Sequence, residues 1–451
     1  MSINRRDLFK LGAVAAAATI TATQVSASTE TKAQETSKLK DKSKGKRVVI
    51  IGGGFGGLSA AKYIRKQDSS IEVIVLEKNS IFMACPYSNT YLGELKETTL
   101  KRLTHDLYSG AKIYGYDIIQ TTVTDIDRKA KSVSTTDGTI DYDILVLSPG
   151  IAYDYKGQFP NWSDEKIRDV AQNAPAAMIT GSEHLALKRM LEDMDGGNVI
   201  ITKPEGKYRC PPAPFERASM IAHYMEKEDI PGKVIILNSS KGIAKGKAFK
   251  ESWKEVNKGS VEHRDDCEIL DVDMEKGTIT YNQEVAEDKY KKITEKFAVL
   301  NLIPKNKANP VTLMAGVKTN AWGGVIMNGA SFQSKTDPNI YAIGDVVGHA
   351  LPPSGQTANW TATMAAQEIA AQLNGKTWKM SFPYRSANVC YSVVGADEAI
   401  MVTHDMSFDG KVIKGKGHVP KPKDGNGKYR SKGVAKLASS WFDGIMNDMF
   451  V

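Results

Sequence analysis

Residues 46–79 read "KRVVIIGGGFGGLSAAKYIRKQDSSIEVIVLEKN", and their order decides the fold. An apolar strand, Val48 to Ile51, runs directly into Gly52-x-Gly54-x-x-Gly57. An amphipathic helix follows, then a second strand, Glu72 to Leu76, which ends in Glu77. Each part has a mechanical task in holding a dinucleotide. Gly52 makes the tight turn, Gly54 lets the backbone approach a pyrophosphate, and Gly57 lets the helix pack on the strand. The helix N-terminus then faces the phosphates. Glu77 lies about 20 residues beyond the last glycine, where a carboxylate accepts ribose hydroxyls. A glycine triplet alone says little. Strand, glycines, helix, strand and acid in sequence predict an α/β dinucleotide-binding domain.

Working outward, "YDILVLSPG" (142–150) is an apolar strand ending at Gly150, and "NIYAIGDVV" (339–347) is another ending in Gly344-Asp345. "LPPSGQTANWTATMAAQEIA" (351–370) is a Pro-Gly loop that feeds a helix near Gly355. These segments resemble the flavin motifs of the pyridine-nucleotide-disulfide-reductase-like flavoproteins. The resemblance implies FAD, with Asp345 on the ribityl chain. The helix amides near Gly355 would face the flavin's pyrimidine edge and favour negative charge there. The expected architecture is α/β: two Rossmann-like domains of the FAD/NAD(P)-binding type and a C-terminal α+β interface domain. The FAD domain is expected over 46–169 and 291–376, with the second Rossmann-like domain inserted at 170–290 and the last domain at 377–451. In the insert, the strand "NVIIT" (198–202) is followed by "KPEGKYRCPPAPFERA", and "KVIILNSS" ends in Asn238. Without a glycine triplet or a ribose acid, no NADH or NADPH site is expected.

The chain has 451 residues, a net charge of +8, 41% hydrophobic and 25% charged residues. That is the composition of an ordinary globular protein. The lysines are dispersed, which argues against nucleic-acid binding. Arg5, Arg6, Leu8, Phe9 and Lys10 precede a short apolar run, and Val25-Ser26-Ala27 offers a cleavage site. This resembles a twin-arginine export signal over 1–27 and predicts a periplasmic protein that crosses the membrane folded. A disordered polar lead is expected over 28–45. The apolar run is shorter than the ~20 residues of a membrane span, and no integral membrane segment is expected in the mature chain. Four cysteines make no disulfide scaffold. The seven histidines are scattered; no metal site is expected, and His349, just beyond the flavin motif, is the one of interest.

Three further segments carry a closer resemblance. "RCPPAPFERAS" (209–219) matches R-C-P-P-G-P-[YF]-E-R-A-S, "MACPYSN" (83–89) matches a flavin-bearing segment, and "WFDGIMNDMF" (441–450) matches W-[YF]-x-x-I-x-x-D-M-F. All three are features of the flavoprotein subunit of flavocytochrome c sulfide dehydrogenase, a relative of sulfide:quinone oxidoreductase. The resemblance implies a thioether from Cys85 to the FAD 8-methyl carbon. It makes Cys210 one half of a redox disulfide and Glu216 the neighbouring acid/base. Arg209 and Arg217 flank the loop and are expected to favour the Cys210 thiolate.

The sequence departs from the family at one point. The second redox cysteine should follow Gly344-Asp345, where this chain has Val347. Cys267 or Cys390 remains as a partner for Cys210, and Cys390 is read as structural. A sulfide or related sulfur substrate is implied. The chain has no C-x-x-C-H motif, so a separate c-type cytochrome subunit is the implied acceptor. Two alternatives stand beside this reading. One is a quinone-reducing enzyme on a membrane surface, suggested by the apolar stripe Val434, Leu437, Trp441, Ile445 and Met449. The other is a non-catalytic flavin-binding paralogue, suggested by Val347.

Overall fold

A computed structural model describes residues 38–41, 45–243, 245–380 and 383–451, with side chains 384–387 left out. The export signal expected over 1–27 lies outside the described residues. Of the polar lead, 38–41 and 45 are described. There the Leu39 N–H donates to Thr139 O at 2.8 Å, and Asp41 O accepts from the Arg47 guanidinium at 2.6 Å.

Five parallel strands make the first sheet, in the order Ile340–Ala342, Ile144–Leu147, Arg47–Ile51, Glu72–Glu77 and Asp117–Gln120. Val48 to Ile51 are at most 4% exposed, as a strand covered on both faces must be, and for that reason they read as an unbroken apolar run. Helix Phe55–Gln67 covers one face. Helix Gly355–Leu373 is tied to it by Asn359 Nδ2, which donates to Ser59 Oγ at 2.9 Å. Ser354 caps the second helix, its Oγ accepting from the Thr357 N–H at 3.1 Å. Such a cap contributes about 1 kcal/mol.

A second parallel sheet runs Val261–Arg264, Val234–Asn238, Val199–Lys203 and Val299–Asn301. It therefore takes in a strand beyond residue 290. Helix Ala213–Lys227 follows its Val199–Lys203 strand through the loop containing Cys210. In that loop Tyr208 Oη donates to Pro211 O at 2.6 Å. Two antiparallel three-stranded sheets flank the parallel ones.

The last region is an antiparallel sheet, Tyr384–Val393, Ala399–Phe408 and Ile413–His418, followed by helix Lys432–Phe450. The helix's apolar stripe is turned inward. Val434, Ile445 and Met449 are at most 6% exposed, and only Leu437 is largely exposed. Tyr87 stacks on Phe442 with centroids 5.2 Å apart, and Trp441 Nε1 donates to Gln356 Oε1 at 2.7 Å. Apart from Leu437, the stripe thus packs against the protein's own core.

Candidate functional site

The glycine fingerprint folds as its spacing demands. A Cβ on Gly57 would sit 1.8 Å from Gly52 O, and one on Gly52, at φ 103°, would sit 2.3 Å from Ser148 O. Those two positions are closed to any side chain. Gly54 and Gly150 differ: a Cβ there would meet nothing within 4 Å, so their backbone borders open room. Glu77 stands at the end of its strand, with Oε2 accepting from the Gly53 N–H at 2.6 Å and Oε1 from the Asn79 N–H at 2.8 Å. These residues fit a dinucleotide. Gly344 (φ 74°) and Asp345 open a short 3₁₀ turn, and Asp345 Oδ2 lies 3.5 Å from Arg209 Nε. Lys207, Asp345, Val347, His349, Pro353 and Ser354 line a small space there. His349 is buried, its Nε2 3.0 Å from Ser331 O, and burial pushes its pKa down.

Across Pro353–Ser354 lies a larger cavity, with about 810 Å³ of free space counting its solvent-filled mouth. Five stretches line it: residues 85–90, the 209–220 turn and helix, 353–356, 389–393, and Trp441. Cys85, Cys210, Glu216 and Gly355 all reach this wall, and so does Cys390. Cys210 is held in a left-handed backbone (φ 53°), unusual for a residue with a side chain. Its N–H donates to Pro353 O at 3.1 Å, and its carbonyl accepts from the Ala213 N–H at 2.8 Å. Pro211 and Pro212, which follow Cys210 directly, sit where the helix begins, with Pro212 as its N-cap.

Glu216 is fixed from both sides. Ser392 Oγ donates to its Oε1 at 2.7 Å, and Asn89 Nδ2 donates to its Oε2 at 3.1 Å. Burial pushes its pKa up, opposed first by the charge of Lys245. Lys245 Nζ lies 3.3 Å from the same Ser392 hydroxyl. Carboxylate, hydroxyl and ammonium therefore form one chain that starts at the cavity wall with Glu216. Cys85 sits in a turn closed by Ser88, whose Oγ donates to Cys85 O at 2.7 Å. His184 Nε2 lies 3.0 Å from that hydroxyl. Wholly buried beneath the turn, His184 is held neutral, its pKa pushed well below the usual histidine range.

Two expectations change here. The Cys210 thiol is not eased toward thiolate: burial first, then the Glu216 carboxylate, push it well above the usual thiol range, and Arg209 opposes them only in part. Arg217 is 1% exposed and braces the site instead. Its guanidinium donates to Asn89 Oδ1 (3.1 Å), Asn301 Oδ1 (2.8 Å), Ala176 O (2.8 Å) and Ala177 O (2.5 Å). Cys390, read as structural, faces the cavity, whereas Cys267 is buried at the start of the strand Cys267–Asp273, in one of the antiparallel sheets, against Arg264 O and Asp265 O. Sequence reasoning missed Asn89, His184, Lys245 and Ser392. Only Ser392 left a signal: it alternates with Asn388 and Cys390 along one strand, and residues i, i+2 and i+4 share a face.

Comparison with known proteins bears on the same surfaces. The family "Sulfide dehydrogenase [flavocytochrome c] flavoprotein chain, central" matches residues 184–304, and "Flavocytochrome c sulphide dehydrogenase, flavin-binding" matches 383–450. "Pyridine nucleotide-disulphide oxidoreductase" matches 46–175. The sulfide dehydrogenase [flavocytochrome c] flavoprotein chain of Chlorobaculum thiosulfatiphilum is 59% identical over 44 residues, 10% of this chain and 92% of that sequence. A type II NADH:quinone oxidoreductase of Staphylococcus haemolyticus is 35% identical over 109 residues, only 26% of its length. Among solved structures, the sulfide:quinone oxidoreductase of Aquifex aeolicus superposes with a TM-score of 0.67 at 17% identity, covering 90% of this chain and 91% of that one. An NAD-dependent persulfide reductase from A. fulgidus gives 0.60 at 18% identity, over 79% and 64%. At those identities the likeness speaks for the fold alone. The matched segments contain the glycine fingerprint, the Cys210 loop, Glu216 and the Cys390 strand, and the chain belongs to the flavoprotein-chain family of flavocytochrome c sulfide dehydrogenase, whose members are FAD-dependent oxidoreductases.

Proposed function

We propose that this enzyme oxidises sulfide, or a closely related reduced sulfur compound, in the periplasm and passes the electrons to a c-type cytochrome subunit. The observation that carries this reading is the single cavity onto which Cys85, Cys210 and Glu216 converge. Cys85 is the residue that would hold FAD covalently, and FAD supplies the two-electron acceptor. Glu216, kept proton-avid by burial, accepts the proton of hydrosulfide as it arrives. Cys210, fixed by its strained backbone and the Pro353 carbonyl, takes the product sulfur. The starts of helices Ala213–Lys227 and Gly355–Leu373 both border the cavity and favour anions there. A haem must come from elsewhere, since this chain has no C-x-x-C-H. Export rests on Arg5 and Arg6.

The test is anaerobic titration of the purified flavoprotein with sulfide, followed by added cytochrome c. Stoichiometric bleaching of the flavin, with the electrons recovered on the haem, is expected. A flavin that dithionite reduces and sulfide leaves untouched refutes the reading.

A further inference from the structure

Lys245 stands in the left-handed backbone region (φ 63°) and begins the helix Gly246–Glu255. Both features cost stability. A residue with a side chain is strained at that φ, and a cation is misplaced at the positive end of a helix. Such strain persists where the surrounding structure puts it to use. Here it brings the ammonium behind the cavity wall, where Nζ donates to Ser392 Oγ at 3.3 Å, while Lys245 itself stays partly exposed. Ser392 is wholly buried and donates onward to Glu216 Oε1 at 2.7 Å. Glu216 lines the cavity, and Ser392 and Lys245 lead away from it. The other carboxylate oxygen offers no such route. Asn89 Nδ2 donates to Oε2 at 3.1 Å, and that orientation is fixed because Asn89 Oδ1 accepts from Arg217 Nε at 3.1 Å. An amide NH₂ donates and does not accept, so Asn89 takes no proton from Glu216. Cys210, Cys390 and His404 are the other titratable groups that feel the Lys245 charge.

We propose that Ser392 and Lys245 conduct to solvent the proton that Glu216 takes from the substrate. The proposal rests on the sulfur-oxidising function and deepens it, because a buried base that keeps its proton serves a single turnover. Neither residue touches substrate; both act through Glu216. The S–H bond of hydrosulfide breaks, its electron pair stays on sulfur, and an O–H bond forms on Glu216. Lys245 gives one ammonium proton to water at the surface. The Ser392 O–H proton then passes to the Lys245 amine, and the Glu216 proton passes to Ser392 Oγ. One proton has left the cavity and no electron has moved with it. Glu216 is again a carboxylate, Ser392 a hydroxyl and Lys245 an ammonium.

The experiment mixes the holoprotein with sulfide in the absence of oxygen and follows flavin absorbance and a pH indicator in one stopped-flow trace. Wild-type protons should appear in step with the bleaching. Lys245→Met and Ser392→Ala should each delay them by about a hundredfold, the low end of what a positioned proton carrier contributes. Lys245→Arg keeps the charge, but a guanidinium does not give up its proton, so this variant should be as slow as the methionine one. A second measurement needs no substrate. After a pH jump, time-resolved infrared follows the Glu216 carboxyl band, assigned by its loss in Glu216→Gln, and the same three variants should slow its titration. Wild-type rates in Lys245→Met and Ser392→Ala would place the proton exit at the cavity mouth and overturn the relay. A wild-type rate in Lys245→Arg would reduce Lys245 to a fixed charge and overturn it too. A flavin that ignores sulfide, in a protein whose Glu216 band titrates slowly in the variants, supports the relay and refutes sulfide as the substrate.

Discussion

Replacing Arg217 by methionine removes four hydrogen bonds at a position 1% exposed. Ala176 O keeps a donor, because Asn301 Nδ2 also reaches it at 3.0 Å. Ala177 O and the two asparagine Oδ1 atoms lose theirs. Three buried acceptors left without a donor cost about 1–3 kcal/mol each. Burying a flexible apolar chain in place of a desolvated cation recovers part of that. A net loss of about 4 kcal/mol follows, and for a chain of this length that is a fall in melting temperature of roughly 5 °C. The second effect is chemical. Asn89 presents its amide to Glu216 only because Arg217 holds its other end. In the variant Glu216 loses both a donor and a nearby positive charge, so its carboxyl is pushed further up. The acid limb of the pH profile for sulfide-driven flavin reduction should then move to higher pH. Differential scanning fluorimetry and anaerobic stopped-flow read the two effects separately. Arg217→Lys, which keeps the charge and loses the forked geometry, should lose stability and move the profile less. A melting temperature within about 1 °C of wild type, with an unmoved profile, would show that Arg217 braces nothing.

Acid-precipitated wild-type protein should stay yellow, whereas Cys85→Ala should bind FAD and release it on precipitation; wild-type flavin that washes out removes Cys85 from the account. Glu216→Gln should abolish flavin reduction by sulfide and gain stability relative to wild type as pH rises. The folded carboxyl is pushed above its unfolded value of about 4.3, so the folded wild type loses stability as pH climbs from that value through the folded one. Parallel melting curves of the two proteins from acid to alkaline pH would contradict this. Changing Arg5 and Arg6 to lysine should trap the flavin-loaded protein in the cytoplasm; undiminished periplasmic yield points to another export route.

The FAD-binding half was legible in sequence because its constraints are local. A strand that must be apolar on both faces, two glycines that admit no Cβ and an acid at the next strand's end all fall within one stretch of 34 residues, 46–79. The loop at Cys210 was legible as a functional segment through its local motif, RCPPAPFERAS. Its electrostatics were not, since the deciding quantity is burial against Glu216 and two other thiols, and burial there is set by segments from the far end of the chain. Arg217 looked like a cation for the thiol in one dimension. In three its donors are taken up by the carbonyls of Ala176 and Ala177 and by two asparagines. Lys245 left no trace at all, standing in a left-handed loop position with no motif around it.

The five-segment wall of the cavity has a consequence for how the protein is made. Contacts that join residues 85, 210, 354, 390 and 441 have very high sequence separation, and closing them is slow and late. A chain in which these segments have not yet met holds its thiols apart, open to stray oxidation and mispairing. Asp448 draws the last closure tight, reached at once by Tyr63 Oη (2.6 Å), Lys62 and Asn359 Nδ2 (2.7 Å). Acquisition of the flavin can then serve the cell as quality control, because a yellow chain is one whose distant segments have already met.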